Sequence, residues 1–155
     1  MSLPNLRQIT FNLHTGIQRG DNLGMADNQC SFCNIDESRI LLKNDFAVAL
    51  NDGFPVAEGH ALVVPQRHVR SLFDLPDAEL ANVWKLVSHV RRKLLDNLKA
   101  DGVNVGVNDG IAAGQTVMHA HVHLIPRRIG DTADPRGGIR WIIPEKARYW
   151  DDYRS

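Results

Sequence analysis

Histidines stand at alternate positions 119, 121 and 123, with Ala120, Val122 and Leu124 interleaved, inside the segment GQTVMHAHVHLIP from Gly114 to Pro126. Side chains alternate across a β-strand with period two. An extended chain therefore puts the three imidazoles on one face and the apolar residues on the other. The pattern predicts a strand over residues 117–125 with one chemically loaded face and one face fit for a core.

The remaining pattern supplies the rest of a sheet and one long helix. Short β-prone runs at 39–42, 46–50 and 60–65 are punctuated by Asn44-Asp45, Asn51-Asp52-Gly53, Pro55 and Gly59, a meander signature. From Asp74, read as an N-cap with Pro76 in the first turn, Leu80, Val83, Trp84, Val87, Val90, Leu94 and Leu98 recur at helical spacing. Asp101-Gly102 stops that helix after about six turns. Another strand is predicted at 103–107, and an apolar run at 139–143 precedes a charged tail. No repeat or low-complexity tract interrupts the chain. The expected fold is α+β, an antiparallel sheet with one long central helix covering one face. With 155 residues and 43% hydrophobic content, one domain spanning 1–155 is expected, with a core of about 30–128, an N-terminal extension 1–29 and a C-terminal tail 129–155.

The 18 Lys and Arg balance 18 Asp and Glu, so no global field draws the chain to nucleic acid or a membrane surface. Any anion must be held by a local site. The longest apolar runs, 46–50 and 61–64, fall far short of the ~20 residues that span a bilayer. The N-terminal MSLPNLRQITFNLH lacks a signal-peptide pattern. A cytoplasmic protein with no membrane or nucleic-acid partner is expected.

Three histidines on one strand face admit three readings: a solvated sheet face, ligands of a catalytic metal, or a nucleophile toward phosphorus. Neutral imidazole, with an ordinary pKa near ~6.5, is populated at neutral pH and needs no deprotonating partner. The third reading requires donors for phosphate oxygens. Gly114-Gln115-Thr116, immediately upstream, offers an amide, a hydroxyl and backbone N–H groups, and Asn108-Asp109-Gly110 offers a second turn with an amide.

The motif H-A-H-V-H-L-I resembles the signature of the histidine-triad (HIT) superfamily. Its flanks, Gly114-Gln115-Thr116-Val117 and Ile125-Pro126-Arg127-Arg128, look like the fragile-histidine-triad branch. The resemblance continues upstream through Asn51, the run from Gly59 to Pro65, and Asn108-Asp109-Gly110. It implies that His121 is a nucleophile forming a nucleotidyl-histidine intermediate, that His123 and Gln115 contact phosphate oxygens, and that Asn108 and Thr116 line the phosphate and leaving-group side. By the same resemblance Asp52 or its neighbour Asn51 holds the ribose hydroxyls, and His119 opens the catalytic triad. It further implies a HIT-like fold and a homodimer with a two-fold axis.

Cys30 and Cys33 form a C-S-F-C pair whose spacing suits two thiolates on one tetrahedral ion. Two small buried thiols without metal is the alternative. A dithiol redox pair lacks the strand-to-helix context of a thioredoxin. The resemblance to bacterial members of the family implies a closed structural zinc site made by Cys30, Cys33, His68 and His119. Of the other histidines, His60 reads as a hydrogen-bonded core residue, and His14 and His89 as solvent-facing.

The function implied is hydrolysis or transfer at a nucleotide α-phosphate, with a dinucleoside polyphosphate of the diadenosine tetraphosphate type as substrate. Nucleoside phosphoramidate hydrolysis is the alternative within the same chemistry, because the CxxC pattern is more usual in that branch. More distant are a metal-dependent hydrolase using all three triad histidines and a nucleotide-sensing module. The stretch 137–144 matches neither branch. Arg127, Arg128, Arg136 and Arg140 read either as ligands for outer phosphates or as a solvated basic face.

Overall fold

The structure, a computed structural model, describes residues 30–150. Five strands, β1 (Ile40–Lys43), β2 (Ala47–Asn51), β3 (Ala61–Pro65), β4 (Gly102–Gly106) and β5 (Val122–Arg127), form one sheet in the order β1-β2-β3-β5-β4. Every pairing is antiparallel. The β1–β2 turn is closed by Asn44, whose Oδ1 accepts from the N–H groups of Phe46 and Ala47 at 2.9 and 2.8 Å. A 22-residue helix, α1 (Asp77–Leu98), carries the chain from β3 to β4.

Strand parity divides the sheet chemically. Ala47, Ala49, Ala61, Val63, Ala120, Val122 and Leu124 pack with Val83, Leu86, Val87, Val90 and Leu94 of α1 in the main core. Leu50, Leu62 and Val64 form a second cluster, with Phe32 and Ile35 packed against it. His123, between Val122 and Leu124 in the chain, falls on the side away from α1. Burying a Val or Leu side chain contributes ~1.5–3 kcal/mol, so the apolar half of the triad segment helps anchor the strand that presents the histidines.

Four details differ from the sequence reading. The helix begins at Asp77 with Pro76 at the N-cap, while Asp74 ends a preceding 3-10 turn, Leu72–Asp74, capped by Ser71. It ends at Leu98, where Lys99 takes the left-handed conformation at φ 50°, so Gly102 is left to open β4. Trp84 is 45% exposed, and Leu86 takes its place on the buried arc. The last strand starts at Val122, not 117. Val63 pairs with Val122, and the β3 ladder then runs out at Pro65, which has no N–H. Ala120 instead donates to the Val69 carbonyl at 2.7 Å.

The apolar run at 139–143 lies mostly in a 3-10 turn, Gly138–Ile142, followed by a short helix, α2 (Pro144–Ala147). Among the described residues no helix is long and apolar enough to cross a membrane.

Candidate active site

The period-two alternation survives although His119 and His121 precede the regular strand. Ala120, Val122 and Leu124 are buried against α1, while the rings of His121 and His123 meet at 4.9 Å. Phe32 makes T-shaped contacts with both His119 and His121, at 5.9 and 5.2 Å between centroids.

Each histidine has a different partner. His121 donates from Nδ1 to the carbonyl oxygen of His119 at 2.8 Å, and its ring is 7% exposed. A neutral imidazole has one N–H, so Nε2 keeps a bare lone pair. His119, fully buried, donates from Nε2 to the Pro65 carbonyl at 2.9 Å, which puts the bare lone pair on Nδ1, the atom facing Cys30 and Cys33. His123 places Nδ1 3.1 Å from Nε2 of His60. Burial pulls the His123 pKa below the ordinary imidazole value; the neighbouring imidazoles of His121 and His60 act the same way and the Asp52 carboxylate opposes them. Burial also lowers the His60 pKa, with Asp52 again opposing.

The three triad histidines do not converge on one point. His119 joins Cys30, Cys33 and His68, whereas His123 joins Asp52 and His60; within each group the donor atoms lie within 4.8 Å of one another. A single metal held by all three imidazoles is therefore not the arrangement found.

The first group fits a tetrahedral ion. Cys33 Sγ lies 3.1 Å from His68 Nδ1, and Cys30 Sγ and Cys33 Sγ lie 3.4 and 3.6 Å from His119 Nδ1. Zinc with bonds of about 2.3 Å to sulfur and about 2.0 Å to nitrogen needs edges of that length. The Pro65 carbonyl holds the His119 ring in the tautomer that such a ligand requires.

The expected substrate residues are placed unevenly. Asp52 faces the histidines, with Oδ2 3.4 Å from His60 Nδ1 and 4.0 Å from His123 Nδ1. Asn51 instead lines an apolar cleft of about 270 Å³ with Leu41, Gly59 and Leu94. Gln115 is buried and fully engaged: its Oε1 accepts from the Gly110 N–H at 2.8 Å, and its Nε2 donates to the carbonyls of Arg70 and Val117 at 2.8 and 3.1 Å. These bonds brace the loop between Gly110 and Val117. Asn108 is partly buried, with its amide against Gly114, and Thr116 is exposed.

The four arginines all have partners within the chain. Arg127 is bound by Asp131 and by Asn104 at 2.7 Å, Arg128 by Glu58 and the Leu98 carbonyl, Arg136 by Asp134, and Arg140 by the Lys146 carbonyl. His89 is exposed as expected, and His14 lies outside the described residues. The residue that sequence reasoning undervalued is His60. It is a buried, hydrogen-bonded residue as expected, yet it touches His123 directly. Its parity with Leu62 and Val64 on β3 signals the face; the register that puts Leu62 opposite His123 does not appear in the sequence.

The HIT domain profile matches residues 35–130. The chain is 39% identical over 106 residues to adenosine 5'-monophosphoramidase of Saccharomyces cerevisiae, covering 66% of this chain and 65% of that protein. It is 37% identical over 97 residues to the asymmetrical bis(5'-nucleosyl)-tetraphosphatase of Schizosaccharomyces pombe, covering 63% and 53%. Among solved structures, a zinc-bound histidine triad family protein from Mycobacterium smegmatis superposes with a TM-score of 0.64 at 30% identity, covering 84% of this chain and all of that one.

Proposed function

The chain belongs to the HIT domain family, and on that premise we propose that it is a nucleotide hydrolase in which His121 attacks an α-phosphate. The observation that carries the reading is the 2.8 Å bond from His121 Nδ1 to the His119 carbonyl, which holds the ring and leaves the lone pair on Nε2. In the first step Nε2 forms a bond to phosphorus, the bond from phosphorus to the leaving group breaks, and the leaving group takes a proton from solvent. In the second, water adds to phosphorus, the N–P bond breaks, and a nucleoside monophosphate departs with the neutral imidazole restored. His123, adjacent to His121, donates to phosphate oxygens as charge gathers on them.

The preferred substrate class is a dinucleoside polyphosphate of the diadenosine tetraphosphate type; a nucleoside phosphoramidate is the alternative. Relatives named for each activity support both. Asp52 is the ribose contact, favoured over Asn51 because it faces the histidines. Asn108 and Thr116 line the leaving-group side, and Gln115 fixes the loop that carries them. Cys30, Cys33, His68 and His119 hold a structural zinc, a reading supported by donor spacing and by the zinc-bound relative. When bound, zinc would tie the N-terminal cysteines to the triad segment and leave no open position for chemistry. A two-fold homodimer, acting in the cytoplasm, completes the proposal; sedimentation velocity at micromolar concentration tests the dimer.

The deciding experiment compares initial rates of one preparation on diadenosine tetraphosphate and adenosine phosphoramidate, with intact-mass detection of a nucleotidyl adduct. Faster cleavage of the tetraphosphate, with an adduct absent in His121→Asn, is the expected result. Faster cleavage of the phosphoramidate transfers the assignment to the alternative. Turnover of neither overturns the enzyme reading.

A further inference from the structure

The His60 ring lies between two incompatible partners on one side and His123 on the other. Its Nδ1 is 3.3 Å from the N–H of Val56, a donor that needs a bare nitrogen. The same atom is 3.4 Å from Asp52 Oδ2, an acceptor that needs an N–H. A neutral imidazole satisfies one of them at a time, because it carries a single ring proton. At 4% exposure, little water can reach His60 to serve the unsatisfied partner. Asp52 is itself positioned, with Oδ1 accepting from the Phe54 N–H at 2.8 Å, so Oδ2 is the oxygen left to choose between His60 and a ligand.

The choice at His60 Nδ1 is transmitted to His123 across the 3.1 Å bond between the rings. When Val56 donates to Nδ1, the His60 proton is on Nε2 and donates to His123 Nδ1. A neutral His123 then has its own proton on Nε2. When Asp52 accepts from Nδ1–H, Nε2 of His60 is bare and accepts from His123 Nδ1–H, so His123 Nε2 has no proton.

We propose that Asp52, His60 and His123 form a tautomer relay, through which engagement of Asp52 by the hydroxyls of a nucleotide's ribose places the proton on His123 Nε2. The proposal rests on the reading of Asp52 as the ribose contact. Hydroxyls that donate to Oδ2 displace it as an acceptor, and His60 turns to Val56. One proton then passes from His60 Nδ1 to Asp52 Oδ2, 3.4 Å away, and on to solvent, one crosses from His123 Nδ1 to His60 Nε2, and one reaches His123 Nε2 from water or from a protonated phosphate. Two neutral rings carry two protons before and after. His123 thereby becomes an N–H donor to phosphate without acquiring charge, which its half-buried position disfavours. His60 is a positioning residue in this scheme, and a correctly bound ribose prepares the phosphate site.

Two-bond proton–nitrogen correlation spectra of the full chain labelled with ¹⁵N-histidine read the tautomer directly, with His60→Gln and His123→Gln used for assignment. The probes are adenosine monophosphate and its 2',3'-dideoxy analogue at saturation, which share a phosphate and differ in the diol. The expected result is His123 protonated on Nδ1 in the free protein and with the dideoxy probe, and on Nε2 with the ribonucleotide. Asp52→Ala should hold Nε2–H with or without ligand. In turnover, loss of the diol should lower kcat about tenfold in the wild type, and the difference should vanish in Asp52→Ala. Identical His123 spectra with the two probes, or an unchanged tautomer in ligand-free Asp52→Ala, would overturn the relay. Absence of any nucleotide-induced shift overturns the nucleotide-site reading instead, and ligand-free Asp52→Ala still decides whether Asp52 sets the proton on His123.

Discussion

His121 donates from Nδ1 to the main-chain oxygen of His119, two residues earlier, at 2.8 Å. The side chain of His119 meanwhile points its own Nδ1 at Cys30 and Cys33. One dipeptide step thus links the ring assigned to chemistry with the ring assigned to zinc, through backbone rather than through side-chain contact.

Replacing His121 by Asn keeps a side-chain N–H able to reach the His119 carbonyl but removes the ring nitrogen. Turnover should fall at least about a thousandfold. The melting temperature should stay within a few degrees of the wild type, since no buried donor or acceptor is orphaned. Initial rates and circular-dichroism melting on the same preparation check both halves.

Stripping zinc, or substituting Cys33→Ser, should loosen the triad segment from the N-terminal cysteines. A loss on the order of 3 kcal/mol is expected for a structural ligand set, which lowers the melting temperature by roughly 10 °C at this chain length. Metal content by plasma emission, read beside the melting curve, should show about one zinc per chain in the wild type. A stable wild-type protein with less than a tenth of an equivalent would remove zinc from the account.

Acid should destabilise this fold in part through His60 and His123. Both have pKa values lowered by burial in the folded protein, whereas an unfolded histidine titrates near ~6.5. The unfolded chain therefore binds more protons in the window just below ~6.5. The stability they contribute is present above that pH and is lost as pH falls toward the depressed folded values. The urea midpoint should drop between pH 7.5 and 5.5, and drop less in His60→Gln. Zinc ligands titrate in both proteins and cancel in the difference.

Gln115 separates two roles by kinetics. As a brace it bonds Gly110, Arg70 and Val117, so Gln115→Ala should cost about 1–3 kcal/mol of stability through orphaned backbone groups, with kcat lowered about tenfold. A transition-state donor would behave differently, losing on the order of a hundredfold or more in kcat at nearly unchanged stability. Denaturant melts and kcat on the same variant decide between them.

Local pattern was enough for the alternation of His119, His121 and His123 against Ala120, Val122 and Leu124, for the apolar stripe of α1 and for the CxxC pair, because side-chain period and turn chemistry act over a few residues. The same holds for the α+β layering, since one amphipathic helix must cover one sheet face. Tertiary structure alone decided what each polar group meets. His60 and His123 are 63 residues apart and come together through the antiparallel register of β3 and β5. Gln115 and Arg70, 45 apart, meet where two loops close. The end of α1 at Leu98 rather than at the later Asp-Gly, and the start of β5 at Val122 rather than Val117, were likewise set by packing and by where the Pro65 ladder stops. Sequence period fixes which face a residue takes; register and loop closure, which sum contacts over the whole domain, fix its partner.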